Sequence, residues 1–233
     1  MTEDLFRNDS YLRECEATVV EATPGGIVLD RTVFYPMGGG QPGDTGRVTW
    51  DGGSVDVTDT RYGERGTIRH LVEEGAALPE VGTNVTATID WERRFRHMRM
   101  HTALHLLGSL LPYGVTGGNI SAEKSRLDFD MQDTVDKDAV NEQLQALVAA
   151  DHAVACRWIT DEELEAQPEL VRTMSVQPPK GAGKVRLLEI EGIDLQPCGG
   201  THLRSTAEVG AVRIAKVEKK GRHNRRVSIV LDQ

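Results

Sequence analysis

The chain is poor in cysteine and lysine, lacks a net positive charge, and has no long apolar run. Cys15, Cys156 and Cys198 are its only cysteines in 233 residues. An odd number at wide spacing excludes a disulfide framework and fits a reducing compartment, where thiols serve metals or chemistry. No stretch approaches the ~18 apolar residues of a membrane-spanning helix. The opening MTEDLFRNDSYLRE is polar and acidic and lacks the apolar centre of a secretion signal. Together these absences predict a soluble, cytoplasmic protein with no membrane contact. The formal net charge of -9 argues against coating nucleic acid by bulk charge. Only seven of the 27 basic residues are lysine. The basic residues nevertheless cluster in RRFRHMR (93–99) and KVEKKGRHNRR (216–226). A single such run is a solvated face as often as a site; two in an acidic chain predict a local phosphate-contacting patch.

What is present divides the chain in two. Over residues 1–90, short β-branched segments recur (ATVVEA, GIVLD, TVFY, RVTW, VDVTD, TIRHLV, VTATID), separated by Gly- and Pro-rich turns. This rhythm predicts a small barrel or sandwich, of which a small β-barrel is the expected form. From Trp91 the period changes. WERRFRHMRMHTALHLLGSLL aligns Phe95, Met98, Ala103, Leu106, Leu107 and Leu110 at helical spacing, and Pro112 stops the run. A second helix is expected over Lys137 to Ala150. The Thr160/Glu163 capping box starts a short third one. The runs RLDFDM, AVACRWI, KVRLLEI, GAVRIAKV and RVSIVL read as strands, and QPPKGAGK (177–184) as a mobile loop. Residues 91–233 are therefore expected to form an α+β domain, with helices packed on a mostly antiparallel sheet. Oligomeric state is not legible.

Two histidines in HTALH, His101 and His105, lie one turn apart on one helix face, where two imidazoles can reach one cation. Taken alone, this spacing equally describes a polar helix edge. In LQPCGGTHLR, Cys198 and His202 flank two glycines, which open backbone conformations closed to other residues and so place the pair on a turn. One cysteine and three histidines make a tetrahedral zinc set, a helix clamp facing a loop clamp. HTALH lacks the glutamate that helical zinc peptidases use as base, which argues against that class. Asp194 is either an acceptor for a ligand histidine or an ordinary turn residue. His97, a turn before His101, is either a support for the ligands or a phosphate or surface residue. His70, His152 and His223 have no partner pattern.

The stretches FYPMGGGQPGDTG (34–46), RRFRHMRMHTALHLL (93–107) and IDLQPCGGTHLRSTAEVG (193–210) together resemble the free-standing alanyl-tRNA editing proteins of the medium-length type. These are relatives of the editing domain of alanyl-tRNA synthetase. The resemblance implies a zinc-dependent hydrolase, holding one zinc ion, that deacylates mischarged tRNA(Ala), chiefly the seryl ester and in some members the glycyl ester. It implies His101, His105, Cys198 and His202 as the zinc ligands. It brings Gly39, Gly40, Gln41 and Asp44 toward the editing pocket, although GGGQPGDTG alone could be a plain turn. With no aminoacylation domain, such a protein does not charge tRNA. The partner is the acceptor end of mischarged tRNA, contacted through Lys219, Lys220, Arg222, Arg225 and Arg226 on a hairpin before the last strand. Arg93, Arg94, Arg96 and Arg99 extend that patch, although some arginines on this helix must instead satisfy acidic neighbours.

Four protein donors describe a closed zinc site, so catalysis asks one of them, His202 first, to yield a position; otherwise the ion only orients substrate. Selectivity asks for a side chain that hydrogen-bonds the serine hydroxyl, because a polar site left unpaired rejects alanine strongly. Thr116 is the first candidate and Asn119 the second, in GVTGGNIS (114–121), where both could instead only shape a turn. A non-catalytic tRNA-binding module with structural zinc is the competing reading.

Overall fold

The computed structural model describes residues 1–174 and 183–232; most of the expected loop QPPKGAGK lies outside the described residues. The chain forms two compact units, Met1–Arg96 and His97–Gln233. The division falls inside the helix that opens at Trp91, rather than at its start.

In the first unit, β1 (Glu3–Asp4) pairs in parallel with β4 (Arg31–Thr32). The main sheet contains β2 (Glu14–Thr23), β3 (Gly26–Leu29), β5 (Gly46–Trp50), β6 (Gly53–Val57), β7 (Asp59–Tyr62), β8 (Ile68–Leu71) and β9 (Asn84–Ile89). Its order is β6-β5-β9-β2-β3-β8-β7, antiparallel throughout. The end strands β6 and β7 share no ladder, so the pairing defines one seven-stranded antiparallel sheet. Alternation explains its core: Val85, Ala87 and Ile89 of β9 point inward and pack with Val19, Ile27, Leu29, Val48, Val55 and Val57.

TVFY is a correction, because only Thr32 of that run belongs to a strand. Side chains take the place of a ladder there. Phe34 N donates to Thr32 Oγ1 at 3.0 Å, and Tyr35 N donates to the Asp44 carboxylate at 2.6 Å. Backbone donors already satisfied locally have no need of a partner strand.

His70 is structural. Its Nδ1–H donates to the Ile27 carbonyl (3.1 Å), and its Nε2 accepts from the Thr32 hydroxyl (2.8 Å). Burial pushes its pKa down to about 4. The unfolded chain therefore binds the proton more readily, and stability is lost as pH falls from ~6.5 toward 4. The first unit should lose about 2 kcal/mol between pH 7 and pH 5 through this group. Urea unfolding at the two pH values, in wild type and in His70→Gln, measures it; an equal pH dependence in both proteins would refute the assignment.

The second unit takes the chain from within α1 (Trp91–Leu110) onward. One antiparallel sheet has the order β10-β11-β16-β15, comprising β10 (Val115–Asn119), β11 (Lys124–Asp130), β15 (Val212–Gly221) and β16 (Asn224–Leu231). Another joins β12 (Val154–Thr160), β13 (Lys184–Ile190) and β14 (Asp194–Pro197). Helix α2 (Lys137–Ala149) is capped by Asp136 and buries Val140, Leu144 and Val148. It meets β15 where Asn141 Oδ1 accepts from Ile214 N at 3.0 Å. Helix α3 (Asp161–Glu165) begins with the full Thr160/Glu163 capping box. The result is α+β, with helices on antiparallel sheets. No helix among the described residues is long and apolar enough to cross a membrane.

Candidate metal centre

Helix α1 is buried well beyond its apolar stripe. Alongside Met98, Met100, Ala103, Leu106 and Leu107, it buries His97, His101, Thr102 and His105. Polar side chains inside a helix packing face are costly unless partnered, so each of these needs a reason. His101 and His105 find theirs in the segment after β14. Their ring centroids lie 5.3 Å apart, and those of His101 and His202 lie 4.2 Å apart. Cys198 Sγ is 3.1 Å from His202 Nε2 and 3.5 Å from His101 Nε2. The donor atoms of His101, His105, Cys198 and His202 all lie within 4.8 Å of one another.

This set fits a zinc-sized cation. Bond lengths of ~2.0–2.1 Å to nitrogen and ~2.3 Å to sulfur give tetrahedral S···N edges of about 3.5 Å, close to the separations observed. The electrostatics suit it too. Burial of Cys198 opposes the thiolate, but His101 and His202 outweigh it and hold the thiol well below its usual range. Burial, and then the charge of His101, push His202 well down, which favours the neutral imidazole. His105 runs the other way: burial disfavours its charge, yet its contacts with Asp194 and Cys198 raise it to about 10, so a cation there would have to displace the Nε2 proton.

Supporting contacts fix the rings. His105 Nδ1 donates to Asp194 Oδ2 at 2.8 Å, which leaves Nε2 for a metal. Asp194 is held in turn by Gln196 Nε2 (2.7 Å) and by Arg172 (3.4 Å). His202 Nδ1 lies 3.4 Å from Thr102 Oγ1, which also accepts from Leu203 N at 3.3 Å. Arg186 on β13 donates to the carbonyls of Cys198 and Gly200, each at 2.9 Å, and so braces the loop. Among the described residues, the glycines with positive φ do not include Gly199 or Gly200. The loop is therefore shaped by these braces rather than by a left-handed turn. Asp194→Ala should weaken metal binding 10–100-fold, with Asp194→Asn falling between it and wild type. Competition with a chromophoric chelator reads this out, and equal affinities would show that Asp194 only shapes its turn.

Residues 7–93 match the family described as class II tRNA synthetases (A), and residues 185–228 match the threonyl and alanyl tRNA synthetase second additional domain. A relative in Methanosarcina mazei, alanyl-tRNA editing protein AlaX-M, is 38% identical, covering 100% of this chain and 98% of its own. AlaX-M of Saccharolobus solfataricus is 37% identical over 97% of this chain and 98% of its own. The chain belongs to the alanyl-tRNA editing proteins. The family likeness extends to larger proteins: 94% of the chain aligns at 37% identity with 25% of the alanine–tRNA ligase of Metallosphaera sedula.

The other residues that the editing-protein motifs single out fall in varied settings. His97 is 2% exposed, which removes the surface and phosphate-contact readings. Thr116 and Asn119 lie on the strand β10, which does not fit the alternative that both only shape a turn. Thr116 Oγ1 donates to Asp128 O (3.2 Å) and accepts from Asn224 Nδ2 (2.8 Å), and Asn119 is exposed. Gly39 and Gly40, both at positive φ, are the centre of a tight turn closed by Gly38 and Gln41. Gln41 is buried, and Asp44 is committed inside the first unit to Arg94 and Tyr35 N.

Two arginines of the expected tRNA patch are corrected by their contacts. Arg225 is buried, donating to the carbonyls of Gly221 and Asn224. Arg226 forms a two-point pair with Asp128 at 2.8 and 2.9 Å. Lys219, Lys220 and Arg222 are exposed at the β15–β16 hairpin, with Lys220 near Glu218. On α1, Arg94 is buried, Arg93 donates to Gly43 O at 2.6 Å and Arg99 donates to Val209 O, which leaves Arg96 exposed. Sequence reasoning missed Arg172, Arg186 and Gln196. Arg186 had a signal, a charged residue inside the apolar alternation of KVRLLEI.

Proposed function

We propose that the chain is a metal-dependent aminoacyl-tRNA deacylase that clears seryl-tRNA(Ala), and glycyl-tRNA(Ala) as a second substrate, with one zinc ion held by His101, His105, Cys198 and His202. The observation that carries this reading is the convergence of four donors within 4.8 Å from two segments about a hundred residues apart, in a chain whose full-length relatives are named editing proteins.

A cation bound there would polarise the ester carbonyl or acidify a water. The chain's own residues do the rest. His105 is fixed by Asp194, and the Cys198–Gly200 loop by Arg186, so the donors are preorganised. The Thr116 hydroxyl uses its proton on Asp128 O and one lone pair on Asn224, which leaves one lone pair to accept from a serine hydroxyl. An alanyl ester offers no such donor. Thr116→Val should therefore lower the preference for seryl over alanyl esters, and unchanged selectivity would remove Thr116 from this role. The exposed Lys219, Lys220, Arg222 and Arg96 would meet tRNA phosphates.

Four protein donors also suit a purely structural zinc in a tRNA-binding module. Deacylation of seryl-, glycyl- and alanyl-tRNA by the purified protein, with and without chelator, decides between the two. Hydrolysis that chelation abolishes and zinc restores supports the deacylase; tRNA binding without ester cleavage establishes the module.

A further inference from the structure

If tRNA is the partner, as just proposed, its 3′ end must reach the metal centre, and one face of the second unit has the chemistry to receive it. Trp158 on β12 is the register partner of Arg186 on β13. On the other side of Arg186, Cys198 N donates to the Arg186 carbonyl at 3.1 Å. Trp158, Arg186 and Cys198 therefore lie in line across adjacent strands, with the Trp158 backbone about 10 Å, two strand spacings, from that of Cys198. Register partners in an antiparallel pair project from the same face. The indole thus stands on the face from which the Arg186 guanidinium holds the metal-binding loop.

Folding accounts for only part of this tryptophan: Leu188 and Ile190 are buried on its face of the sheet, yet the indole itself stays exposed. The opposite face of the sheet carries the packed cluster of Val185, Leu187 and Leu170. Trp158 is 41% exposed on an edge strand, with the Lys184 ammonium 4.7 Å from its ring centroid. A cation–π contact at such an exposed site is weak, so Lys184 can turn to an anion without loss to the fold. An exposed aromatic face beside a cation is the pairing by which proteins take up single-stranded nucleic acid: the ring stacks on a base and the cation meets the backbone.

We propose that Trp158 and Lys184 form a landing platform for the single-stranded CCA end of the tRNA, with the indole stacking on a base and the ammonium contacting a phosphate, as the terminal ribose reaches the Cys198 loop. The charge pairing and the line to Cys198 favour nucleic acid over a second polypeptide strand on the β12 edge.

The test is equilibrium binding of fluorescent, uncharged tRNA(Ala), either intact or trimmed of its CCA nucleotides, to the full chain and its variants. Trp158→Ala should weaken binding of intact tRNA roughly tenfold and leave the trimmed tRNA unaffected. Trp158→Phe should retain most of the affinity. Lys184→Ala should lower the salt dependence by about one phosphate contact. Equal losses on intact and trimmed tRNA, or no loss on either, would overturn the platform, and so would a wild type that ignores the CCA. Metal content and circular dichroism of each variant, with Trp158→Phe as the conservative partner, separate misfolding from lost stacking. Because the readout needs no hydrolysis, the two proposals fail separately. CCA-dependent binding without ester cleavage sinks only the deacylase, and cleavage with Trp158→Ala binding normally sinks only the platform.

Discussion

On the proposed deacylase reading, replacing Cys198 by serine should strip the metal and reduce seryl-tRNA deacylation by about 10²-fold or more, while the second unit stays folded. The thiol is the one anionic donor of the set, held well below its usual range against burial by His101 and His202. A serine hydroxyl does not ionise there, so only three imidazoles remain, and a borderline-soft cation loses its strongest ligand. The fold has other supports nearby. Arg186 bonds to the carbonyls of Cys198 and Gly200, and neither bond involves the sulfur. Metal content by mass spectrometry should therefore fall while circular dichroism persists. In cobalt-substituted protein, the thiolate-to-metal charge-transfer absorption should vanish in Cys198→Ser and survive in Asp194→Asn. A Cys198→Ser protein that keeps stoichiometric metal would refute the ligand assignment outright, whatever its activity.

Much of this centre is legible in the sequence, because local rules govern its parts. HTALH is a helix clamp wherever the surrounding stripe makes a helix, and the stripe of Met98, Ala103, Leu106 and Leu107 is strong. CGGTH, too, announces itself by residue type. What sequence could not supply is long-range selection among similar residues. RRFRHMR contains four arginines, and nothing local says that Arg94 is fully buried while Arg96 faces solvent. That distinction is made by Asp44, fifty positions away. Similarly, Arg225 and Arg226 read as a basic surface until Asp128 and the hairpin carbonyls claim them. TVFY has every residue of a strand, but Asp44 and Thr32 take its backbone donors. In each case specific polar partners, Asp44 and Asp128 from distant segments and Thr32 and the hairpin carbonyls from nearby, override the local pattern, because a buried charge or N–H must be satisfied before propensity counts.

Asp44→Ala should be the most damaging single change in the first unit, costing about 3–5 kcal/mol. The Arg94 side chain is 0% exposed, and its Nε lies 2.9 Å from Asp44 Oδ2. Without the carboxylate, a guanidinium remains buried with only the Ser10 and Val33 carbonyls, at 3.0 and 2.7 Å, to meet it. Tyr35 N also loses its acceptor. A loss of this size approaches the whole stability of a domain, ~5–15 kcal/mol. The expected result is a large drop in the urea midpoint of the first unit, or its unfolding at room temperature. Arg94→Met should cost less, because Asp44 then keeps Tyr35 N as a donor and the Ser10 and Val33 carbonyls it strands are neutral. Combining Asp44→Ala with Arg94→Met should be milder than the sum of the two, since removing both charges leaves no uncompensated ion. A double-mutant cycle followed by urea unfolding measures that coupling. Additive losses would mean that the pair acts only through its separate backbone contacts. A coupling of several kcal/mol would identify the ion pair as what fixes the glycine-rich segment to the start of α1 within the first unit, and so explain why a buried Asp–Arg pair stands where apolar residues would otherwise pack.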